Sequence, residues 1–415
     1  MPGMNGHDFD AVIVGGGAAG LIAGIFAAER GRRVLVLEKG KKAGVKILMS
    51  GGTRCNITHH CDTRGIVTAF GPNGKFLHSA LAGFTPQQVV EFFNAEGVAT
   101  KVEETGKIFP VSDRALDVLN ALLRRLVRSG AQLSLVEPAV DVEAISTGGF
   151  RVFTSRRQIT CEHLLVTTGG LSYPGCGTTG DGYAFARKFG HTIVSTRPAL
   201  VPLTTQPVWV AELKGITVPK AGLKVVEVGT KPLTQRTGSV LFAHFGLTGP
   251  APLDVSRAVS GHPDPAKLSL EVDFLPDTPE AEFEAFLQYE TAAHGKKLLA
   301  VVMAERLPRR LCDQMLMLAG LPEARTAAAL SKDDRRKLVV LAKRMPIPLR
   351  GTLGYEKAEV TAGGVSLDAV DSRTMQSKRQ PGLYFAGEVL DLDGWIGGYN
   401  FQSAWSTGRL AARFL

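Results

Sequence analysis

Cysteine and histidine are sparse and scattered in this 415-residue chain. The five cysteines, at positions 55, 61, 161, 176 and 312, form no C-x-x-C pair, and the nine histidines show no H-x-x-x-H spacing. These absences argue against a dithiol redox motif and give a metal site no support. We therefore predict no bound metal and reduced thiols, which are typical of a cytoplasmic protein.

Charge is absent from residues 11–28, a run long enough to suggest a membrane span. Five of these residues are glycine, Asp8 and Asp10 precede the run, and no basic leader stands before it. We interpret the run as a buried strand followed by a buried helix. The sequence thus predicts a cytoplasmic protein with no membrane partner.

The composition, with 44% hydrophobic and 21% charged residues, is that of a soluble globular protein, and the length predicts two or three domains. The net charge is +9, but the basic residues are spread along the chain without a long basic run or a recognition motif. We therefore do not expect a nucleic-acid partner. A positive potential would also attract anionic cofactors or substrates.

The strongest motif is a strand–helix–strand unit near the N-terminus. Residues 10–14, which are apolar after Asp10, and the apolar residues 34–37 predict two buried strands, and residues 21–30 predict the helix between them. The turn into this helix has the spacing G-x-G-x-x-G, at Gly15, Gly17 and Gly20. Glu38 ends the second strand, so strand, glycine turn, helix, strand and acid follow in the order of the dinucleotide-binding fingerprint.

Each part of this motif has a physical role. Gly15 permits a tight turn, Gly17 lets a pyrophosphate approach the backbone, and Gly20 lets the helix pack close to the strand. The helix N-terminus favours an anion because its N–H groups are free and carry partial positive charge. Glu38 can accept hydrogen bonds from a ribose hydroxyl, and its charge would repel a 2′-phosphate. The unit is predicted to bind a dinucleotide.

Residues 45–58 place small side chains beside Lys46, Arg54 and Asn56. This pattern predicts a loop or short helix that wraps a bound cofactor, with cations near its phosphates or its electron-rich ring. An ordinary surface loop is the alternative. Residues 133–143 predict a strand whose backbone, in folds of this kind, often contacts an adenine ring.

A further buried strand at residues 164–166 runs into Thr168, Gly169 and Gly170. Asp181 then stands at the start of a helix, where its carboxylate can serve a ligand or only cap the helix.

From residue 195 onward the pattern changes to frequent prolines and short alternating strands, followed by helices from residue 278. The C-terminal stretch returns to strand–helix character, with a last helix that begins after Gly397 and Gly398. We predict a dinucleotide-binding domain at 1–194, an inserted β domain at 195–277, a helical subdomain at 278–345 and a return to the first domain at 346–415.

Several stretches together carry a family resemblance. They are residues 15–20 with Glu38 and Lys39, 46–56, 167–174, 179–182, 241–250, 359–365 and 387–402. In these stretches the sequence resembles the bacterial NAD(P)/FAD-dependent oxidoreductases of the BaiN/RdsA type. One departure is Thr53, which stands where that family usually has glycine.

The resemblance implies an α/β fold: a glutathione-reductase-like Rossmann FAD-binding domain built from both chain ends, with an inserted antiparallel β-barrel-like domain and a helical subdomain. It implies that Ala139 and Val140 contact adenine, that Gly387 and Glu388 bind the pyrophosphate–ribityl region, and that residues 400–402 face the flavin pyrimidine edge. The full set of candidate cofactor contacts is Gly15, Gly17, Ala18, Ala19, Gly20, Glu38, Lys39, Lys46, Ser50, Gly51, Arg54, Asn56, Ala139, Val140, Thr168, Gly169, Gly170, Asp181, Gly364, Val365, Gly387, Glu388, Gly398, Asn400, Phe401 and Gln402.

We predict an FAD-dependent enzyme that transfers hydride between flavin N5 and a small organic substrate held between the FAD and the inserted domains. The chain contains no second G-x-G-x-x-G, so NAD(P)H, if it is the donor, must bind transiently at the substrate face. The alternatives are an oxidase that uses O₂, an RNA-modifying flavoprotein suggested by the net charge, and a non-catalytic nucleotide-binding module. The catalytic residue stays open among His244, Tyr173, Cys55 and Tyr399, and no oligomeric state is predicted.

Overall fold

The computed structural model describes residues 6–227 and 229–415. Its strands are β1 Phe9–Val14, β2 Val34–Glu38, β3 Thr58–His59, β4 Thr100–Val102, β5 Lys107–Pro110, β6 Gln132–Leu135, β7 Ala139–Ala144, β8 Phe150–Thr154, β9 Gln158–Val166, β10 Ile193–Ala199, β11 Leu203–Thr205, β12 Thr217–Glu227, β13 Thr234–Ala243, β14 Gly246–Thr248, β15 Leu268–Asp273, β16 Met345–Thr352, β17 Val360–Val365 and β18 Leu383–Phe385. Its α-helices are α1 Ala18–Ala28, α2 Val45–Thr53, α3 Thr63–Ala69, α4 His78–Gly83, α5 Pro86–Ala95, α6 Ala115–Arg128, α7 Asp181–Lys188, α8 Trp209–Glu212, α9 Pro250–Ser260, α10 Glu280–Ala293, α11 Leu299–Met303, α12 Arg309–Leu318, α13 Lys332–Arg344 and α14 Tyr399–Ala412.

The chain divides into two compact units. The first comprises the residues up to Pro198 together with Glu359–Leu415, and the second comprises Ala199–Ala358. Both chain ends therefore build one unit, as the fold prediction requires. Among the described residues, no helix combines the length and the apolar character needed to cross a bilayer.

The centre of the first unit is a seven-stranded sheet in the order β6-β2-β1-β9-β8-β7, with β18 paired to β9. Strand β1 is parallel to both β2 and β9. In this register Val12 lies beside Leu35 of β2 on one side and Leu164 of β9 on the other. The apolar run of β1 is buried over its last four residues, as expected for a central parallel strand covered on both faces. This sheet places the turn after β1 at the carboxyl edge of the parallel strands, where such folds bind their ligands.

The second unit contains a closed antiparallel barrel in the order β11-β14-β13-β12-β15-β16. Strand β15 alternates buried and half-buried residues, which confirms the half-buried strand predicted there. Helices α10 to α13 share one hydrophobic core with the barrel, through residues such as Leu270, Phe283 and Leu338. The predicted α/β fold class, with a Rossmann domain, an antiparallel barrel and added helices, is thus confirmed.

Two local predictions need correction. The predicted return to the first domain begins at residue 346, but strand β16, which starts at Met345, pairs with β11 and β15 in the barrel. Residues 346–358 therefore belong to the second unit. The strand predicted at 133–143 is interrupted, because Val136 adopts a left-handed φ of 55° between β6 and β7.

A buried histidine in the first unit gives a pH-dependent prediction. His191 is 3% exposed, its Nε2 lies 2.7 Å from Ser377 Oγ, and burial lowers its pKa from 6.5 to about 4. Between these pH values the unfolded chain binds a proton that the folded chain does not, so stability falls as the pH drops from about 6.5 to about 4. This group alone should remove about 3 kcal/mol over that window.

The variant His191→Gln should therefore show a flatter decline of unfolding free energy between pH 7 and pH 4.5 in urea denaturation. The exposed His78 offers a matched control, since His78→Gln should leave the wild-type decline unchanged. Equal acid sensitivity of both variants and the wild type would contradict this role of His191.

Candidate functional site

The glycine turn between β1 and α1 contains two kinds of glycine. A Cβ on Gly15, where φ is +113°, would lie 2.5 Å from Thr167 O, and one on Gly20 would lie 1.9 Å from Gly15 O. A Cβ on Gly17 would meet no protein atom within 4 Å. Gly15 and Gly20 are therefore required by the packing of the protein itself, whereas Gly17 leaves room for a ligand at the backbone.

Helix α1 begins directly after Gly17, which is its N-cap and has no side-chain capping bond. The backbone N–H groups of Ala18, Ala19 and Gly20 form the first turn, where no intrahelical acceptor exists. Uncapped N–H groups at a helix start attract an anion such as a pyrophosphate. This placement agrees with the role predicted for Gly15 to Gly20.

Glu38 closes β2 next to the same turn. Its Oε2 accepts from Gly16 N at 3.0 Å and its Oε1 accepts from Gly40 N at 2.6 Å. A carboxylate oxygen accepts more than one hydrogen bond, so Glu38 still has capacity for ribose hydroxyls. The open approach to Gly17, the uncapped helix start and this carboxylate together fit the adenosine diphosphate half of FAD.

The segment that hydrogen-bonds beside Glu38 precedes the residues predicted to contact adenine. Val136 N donates to Gly40 O and Glu137 N donates to Glu38 O, both at 3.0 Å. Val136 and Glu137 therefore adjoin Glu38, three residues ahead of Ala139 and Val140, and Val140 is 59% exposed on β7. The sequence carried no signal for this position, because the strand break at Val136 was not visible in the hydrophobic pattern.

The basic residues among the candidate cofactor contacts are paired with carboxylates. Lys46 lies 2.6 Å from Glu388, and Lys39 lies 2.5 Å from Asp181. Arg54 lies 2.6 Å from Glu103, with its guanidinium 3.9 Å from the centre of the Phe109 ring. Each of these basic side chains therefore has a carboxylate partner within the protein, and its contact with a cofactor stays a prediction.

Glu388 links three segments that are distant in the chain. Its Oε2 accepts from Lys46, and its Oε1 accepts from Thr361 N at 3.0 Å. Thr361 Oγ1 in turn accepts from Leu171 N at 2.8 Å, and a Cβ on Gly170 would lie 2.4 Å from the same oxygen. The structure therefore brings three candidate cofactor contacts, Lys46, Gly170 and Glu388, together around Thr361, which was not among the candidates.

The two chain ends meet at the start of α1. A Cβ on Gly387 would lie 2.8 Å from Ala19 Cβ, and a Cβ on Gly408 of α14 would lie 2.4 Å from Ala19 O. Gly387 N donates to Thr407 Oγ1 at 3.0 Å. Helix α14 thus packs directly against the anion-binding end of α1, and Thr407 and Gly408 are positions that the sequence analysis did not identify.

Helix α14 begins after Gly398, which has a φ of +93°. A Cβ there would lie 2.6 Å from Thr58 O. With its amide oriented to satisfy its neighbours, Asn56 accepts from Gly398 N and donates to Thr58 O, both at 3.0 Å. Asn56 is 8% exposed, so it positions the helix start instead of presenting its side chain to a ligand.

The side chains of residues 400–402 are also used inside the protein. Asn400 Oδ1 accepts from Gly394 N at 2.8 Å, and Phe401 stacks on Trp405 with 5.4 Å between ring centres. Gln402 is fully buried, and its Nε2 donates to Phe84 O at 2.9 Å. These side chains are thus engaged within the protein, while the start of α14 offers its backbone N–H groups, and the contact of residues 400–402 with a flavin stays a prediction.

Other predicted contacts are packed against the backbone. Gly364 has a φ of +134°, and a Cβ there would lie 2.7 Å from Val389 O, while Val365 is fully buried. Gly169 has a φ of +74°. Thr168, the residue before it, lies close in space to Gly182, so that a Cβ on Gly182 would lie 2.2 Å from Thr168 Oγ1. Gly364 and Gly182 are therefore explained by close approach of other protein atoms.

Of the four catalytic candidates, Cys55 lies in surroundings that disfavour a catalytic role. It is fully buried, and this burial raises its pKa to about 12, so that the thiol stays protonated and unreactive. Tyr399 is 8% exposed and stacks on His59 at 4.6 Å between ring centres. His244 is exposed in the turn between β13 and β14 of the second unit.

Tyr173 differs from these residues because it is half-buried, and like Cys55 it is held in a left-handed conformation, with a φ of 55°. Thr178 Oγ1 donates to Ser172 O at 2.5 Å and to Tyr173 O at 3.1 Å, and Cys176 N donates to Tyr173 O at 2.8 Å. Burial and the nearby Glu359 raise the pKa of its phenol, which therefore stays protonated. Non-glycine residues with this backbone conformation concentrate at functional sites.

Ser50 and Gly51 lie where α2 loses its helical geometry. Ser50 has an extended ψ of 151°, and Gly51, Gly52, Thr53 and Cys55 all have positive φ. Thr53 has a φ of 70°. This left-handed conformation costs a residue with a Cβ about 1–2 kcal/mol, a cost that glycine does not bear. The glycine that the resembling family usually has there would avoid this cost.

Replacing Thr53 with glycine should therefore stabilise the protein by about 0.5–1 kcal/mol, since the relief of strain exceeds the added entropy of the unfolded chain. Urea denaturation measures this change. Thr53→Ala retains a Cβ and should gain less than Thr53→Gly; equal or lower stability of the glycine variant would refute the strain.

Within the described ranges, no group of three or more histidine, cysteine, aspartate or glutamate side chains could hold a metal ion.

Comparisons with known proteins agree with this architecture. The family model described as "HI0933-like protein Rossmann domain" matches residues 9–414. A protein of Escherichia coli (strain K12) named ribosomal RNA dihydrouridine synthase is 36% identical over 412 residues, which cover 98% of both chains. A protein of Clostridium scindens named 3-dehydro-bile acid delta(4,6)-reductase is 31% identical over 411 residues, which cover 97% of both chains.

A solved structure also shares the fold. The 3-ketosteroid delta1-dehydrogenase from Sterolibacterium denitrificans, in complex with 1,4-androstadiene-3,17-dione, matches with a TM-score of 0.50 and 15% identity, over 98% of this chain and 99% of that chain. This likeness concerns the fold alone. The full-length matches to the family model and to the curated relatives establish that the chain belongs to the HI0933-like family of flavin-dependent oxidoreductases, the BaiN/RdsA type that its motifs resemble.

Proposed function

We propose that this protein reduces a carbon–carbon double bond conjugated to a carbonyl, and that its substrate is uridine in ribosomal RNA. The observation that carries the proposal is the 36% identity to a ribosomal RNA dihydrouridine synthase along 98% of both chains. The name of the bile-acid relative likewise denotes reduction of double bonds. The expectation that nucleic acid is not a partner receives no support from these relatives, and the net charge of +9 favours an anionic polymer.

The reaction adds one hydride and one proton across the C5–C6 bond of uracil. When bound, FAD supplies the two-electron chemistry, and NAD(P)H is the proposed source of its electrons, so that uridine, NAD(P)H and a proton give dihydrouridine and NAD(P)⁺. The first turn of α1 and Glu38 hold the adenosine diphosphate half of the cofactor. The backbone N–H groups at the start of α14 favour negative charge at the other end.

Tyr173 is the proposed proton donor. Its phenol is protonated at neutral pH, and hydrogen bonds from Thr178 and Cys176 fix its backbone. The loop that carries it is fastened to Thr361 through Ser172, whose Oγ lies 2.9 Å from Thr361 Oγ1. Thr361 also contacts Glu388, so Tyr173 belongs to the same connected group of residues as the predicted ribityl-binding segment.

The test is anaerobic incubation of the purified protein, FAD, NADH or NADPH and unmodified ribosomal RNA transcript, followed by nucleoside mass spectrometry. The expected product is dihydrouridine at a defined position, formed only when FAD and a nicotinamide are both present. A conjugated steroid enone serves as the comparison substrate. Reduction of the enone without any dihydrouridine in the RNA would overturn the RNA substrate and leave the reaction class standing.

A further inference from the structure

An arginine cluster lies at the C-terminal ends of α6 and α14. Its members are Arg124, Arg125, Arg128, Arg409 and Arg413, from the last five residues of α6, the last turn of α14 and the residue that follows α14. Helices α1 and α14 have 11 and 14 residues, so their far ends lie roughly 16 and 21 Å from their N-termini. The arginine cluster is therefore separate from the site described above.

Aromatic rings support two members of the cluster. The guanidinium of Arg125 lies 4.5 Å from the ring centre of Phe92 and 5.4 Å from that of Phe26. The guanidinium of Arg409 lies 4.7 Å from the ring centres of both Phe26 and Phe84. Phe26 thus contacts two arginines, which are held in place before any partner binds.

The charges in the cluster are incompletely balanced. Glu29 lies 2.8 Å from Arg125, and Glu96 lies 2.6 Å from Arg128 and 3.3 Å from Arg125. These two carboxylates stand against five guanidinium groups. The pKa of Arg409 is lowered by burial and by the neighbouring charges of Arg413 and Arg125.

The outer members of the cluster are accessible. Arg128 is 64% exposed, and Arg124 and Arg413 are exposed as well. Each helix C-terminus favours a nearby cation, but only by about 0.3–1 kcal/mol, and that effect does not require five arginines at one place. Accessible guanidinium groups in excess over carboxylates can each donate two hydrogen bonds to the oxygens of a phosphate.

We propose that the arginine cluster binds the phosphate backbone of the ribosomal RNA substrate, at a distance from the base that reacts. This inference rests on the proposed function for the identity of the RNA. The cluster contributes affinity without base specificity, because phosphate contacts position a nucleic acid and do not distinguish its sequence. Binding through these contacts releases counterions and therefore weakens steeply with salt.

The experiment measures filter binding of a ribosomal RNA fragment to the FAD-loaded protein over a range of salt concentrations. The variant Arg124→Glu/Arg128→Glu/Arg413→Glu changes only the exposed members. Its affinity should fall at least about tenfold, and the slope of log affinity against log salt should fall by about two to three. The neutral variant with glutamine at the same three positions should show a smaller loss in the same direction, and thermal melting and FAD content confirm that both variants fold.

A matched control lies on α13, where Lys332, Arg336 and Lys337 also form an exposed basic face. Their replacement by glutamate should leave the slope within about one unit of the wild type. Wild-type affinity and slope in the arginine-cluster variants would overturn the proposal, and so would an equal loss of affinity in the α13 variant. Binding of an acidic protein, with no binding of RNA, would also overturn it.

The two proposals fail in different ways. If the wild-type protein binds RNA through the cluster but forms no dihydrouridine, the cluster stands and the reaction on RNA does not. If the cluster variants form dihydrouridine with an unchanged KM for RNA, the function stands and the cluster proposal is wrong. Reduction of a free conjugated enone should be equal in all these variants.

Discussion

Replacing Gly17 with leucine is expected to give a folded protein that no longer retains FAD. A Cβ at this position meets no protein atom within 4 Å, and the backbone φ of −83° is one that any residue adopts, so the fold should tolerate the substitution. The same side chain would occupy the approach to the first turn of α1. Loss of two or more hydrogen bonds to charged phosphates, at about 1.5–3 kcal/mol each, should weaken FAD binding at least about 100-fold.

The measurement is FAD affinity by quenching of flavin fluorescence, together with thermal melting of the cofactor-free protein. The melting temperature of Gly17→Leu should stay within about 2 °C of the wild-type apoprotein. Gly83→Leu is a matched control, because a Cβ there also meets no atom within 4 Å and the position lies at the end of α4. Wild-type FAD affinity in Gly17→Leu would show that the pyrophosphate does not bind at this turn.

Replacing Tyr173 with phenylalanine is expected to slow substrate reduction by about 100-fold or more, which is the usual contribution of a positioned proton donor. The substitution removes one hydroxyl and retains the ring, and the backbone of Tyr173 remains fixed by Thr178 and Cys176. Reduction of the bound flavin by NAD(P)H should be unaffected, because that step needs no proton from the phenol.

Stopped-flow spectroscopy separates the two half-reactions under anaerobic conditions. The oxidation of reduced enzyme by substrate should be slow in Tyr173→Phe and normal in Tyr399→Phe, whose ring stacks on His59 in the same unit. A solvent deuterium isotope effect on this step should be present in the wild type. If Tyr173→Phe retains the wild-type rate and isotope effect, another group donates the proton.

The parts of the fold that the sequence predicted depend on short-range patterns. The first strand, the glycine turn, α1 and Glu38 lie within 30 consecutive residues, and each has its own local signal. Helix α5 likewise begins at a local signal, since Thr85 and Gln88 form a capping box. These signals reflect backbone conformation and burial, which neighbouring residues largely determine.

The roles of individual polar side chains depended instead on partners far along the chain. Lys46 pairs with Glu388 across 342 positions, and Gln402 bonds to Phe84 across 318 positions. Nothing in the sequence near Lys46 or Gln402 indicates these partners. Both residues were therefore predicted to face a ligand, because a polar residue in a glycine-rich stretch has no visible structural role until the tertiary contacts are known.

The central claim is that the glycine turn before α1 and the C-terminal segment from Gly387 to Gly398 hold one FAD within the first unit. The most direct test is a titration of the purified apoprotein with FAD, read by absorbance and by the increase in melting temperature. The account predicts saturation at one FAD per chain and a yellow protein that dithionite bleaches. A protein that takes up no FAD, or binds it without any gain in thermal stability, would contradict the account.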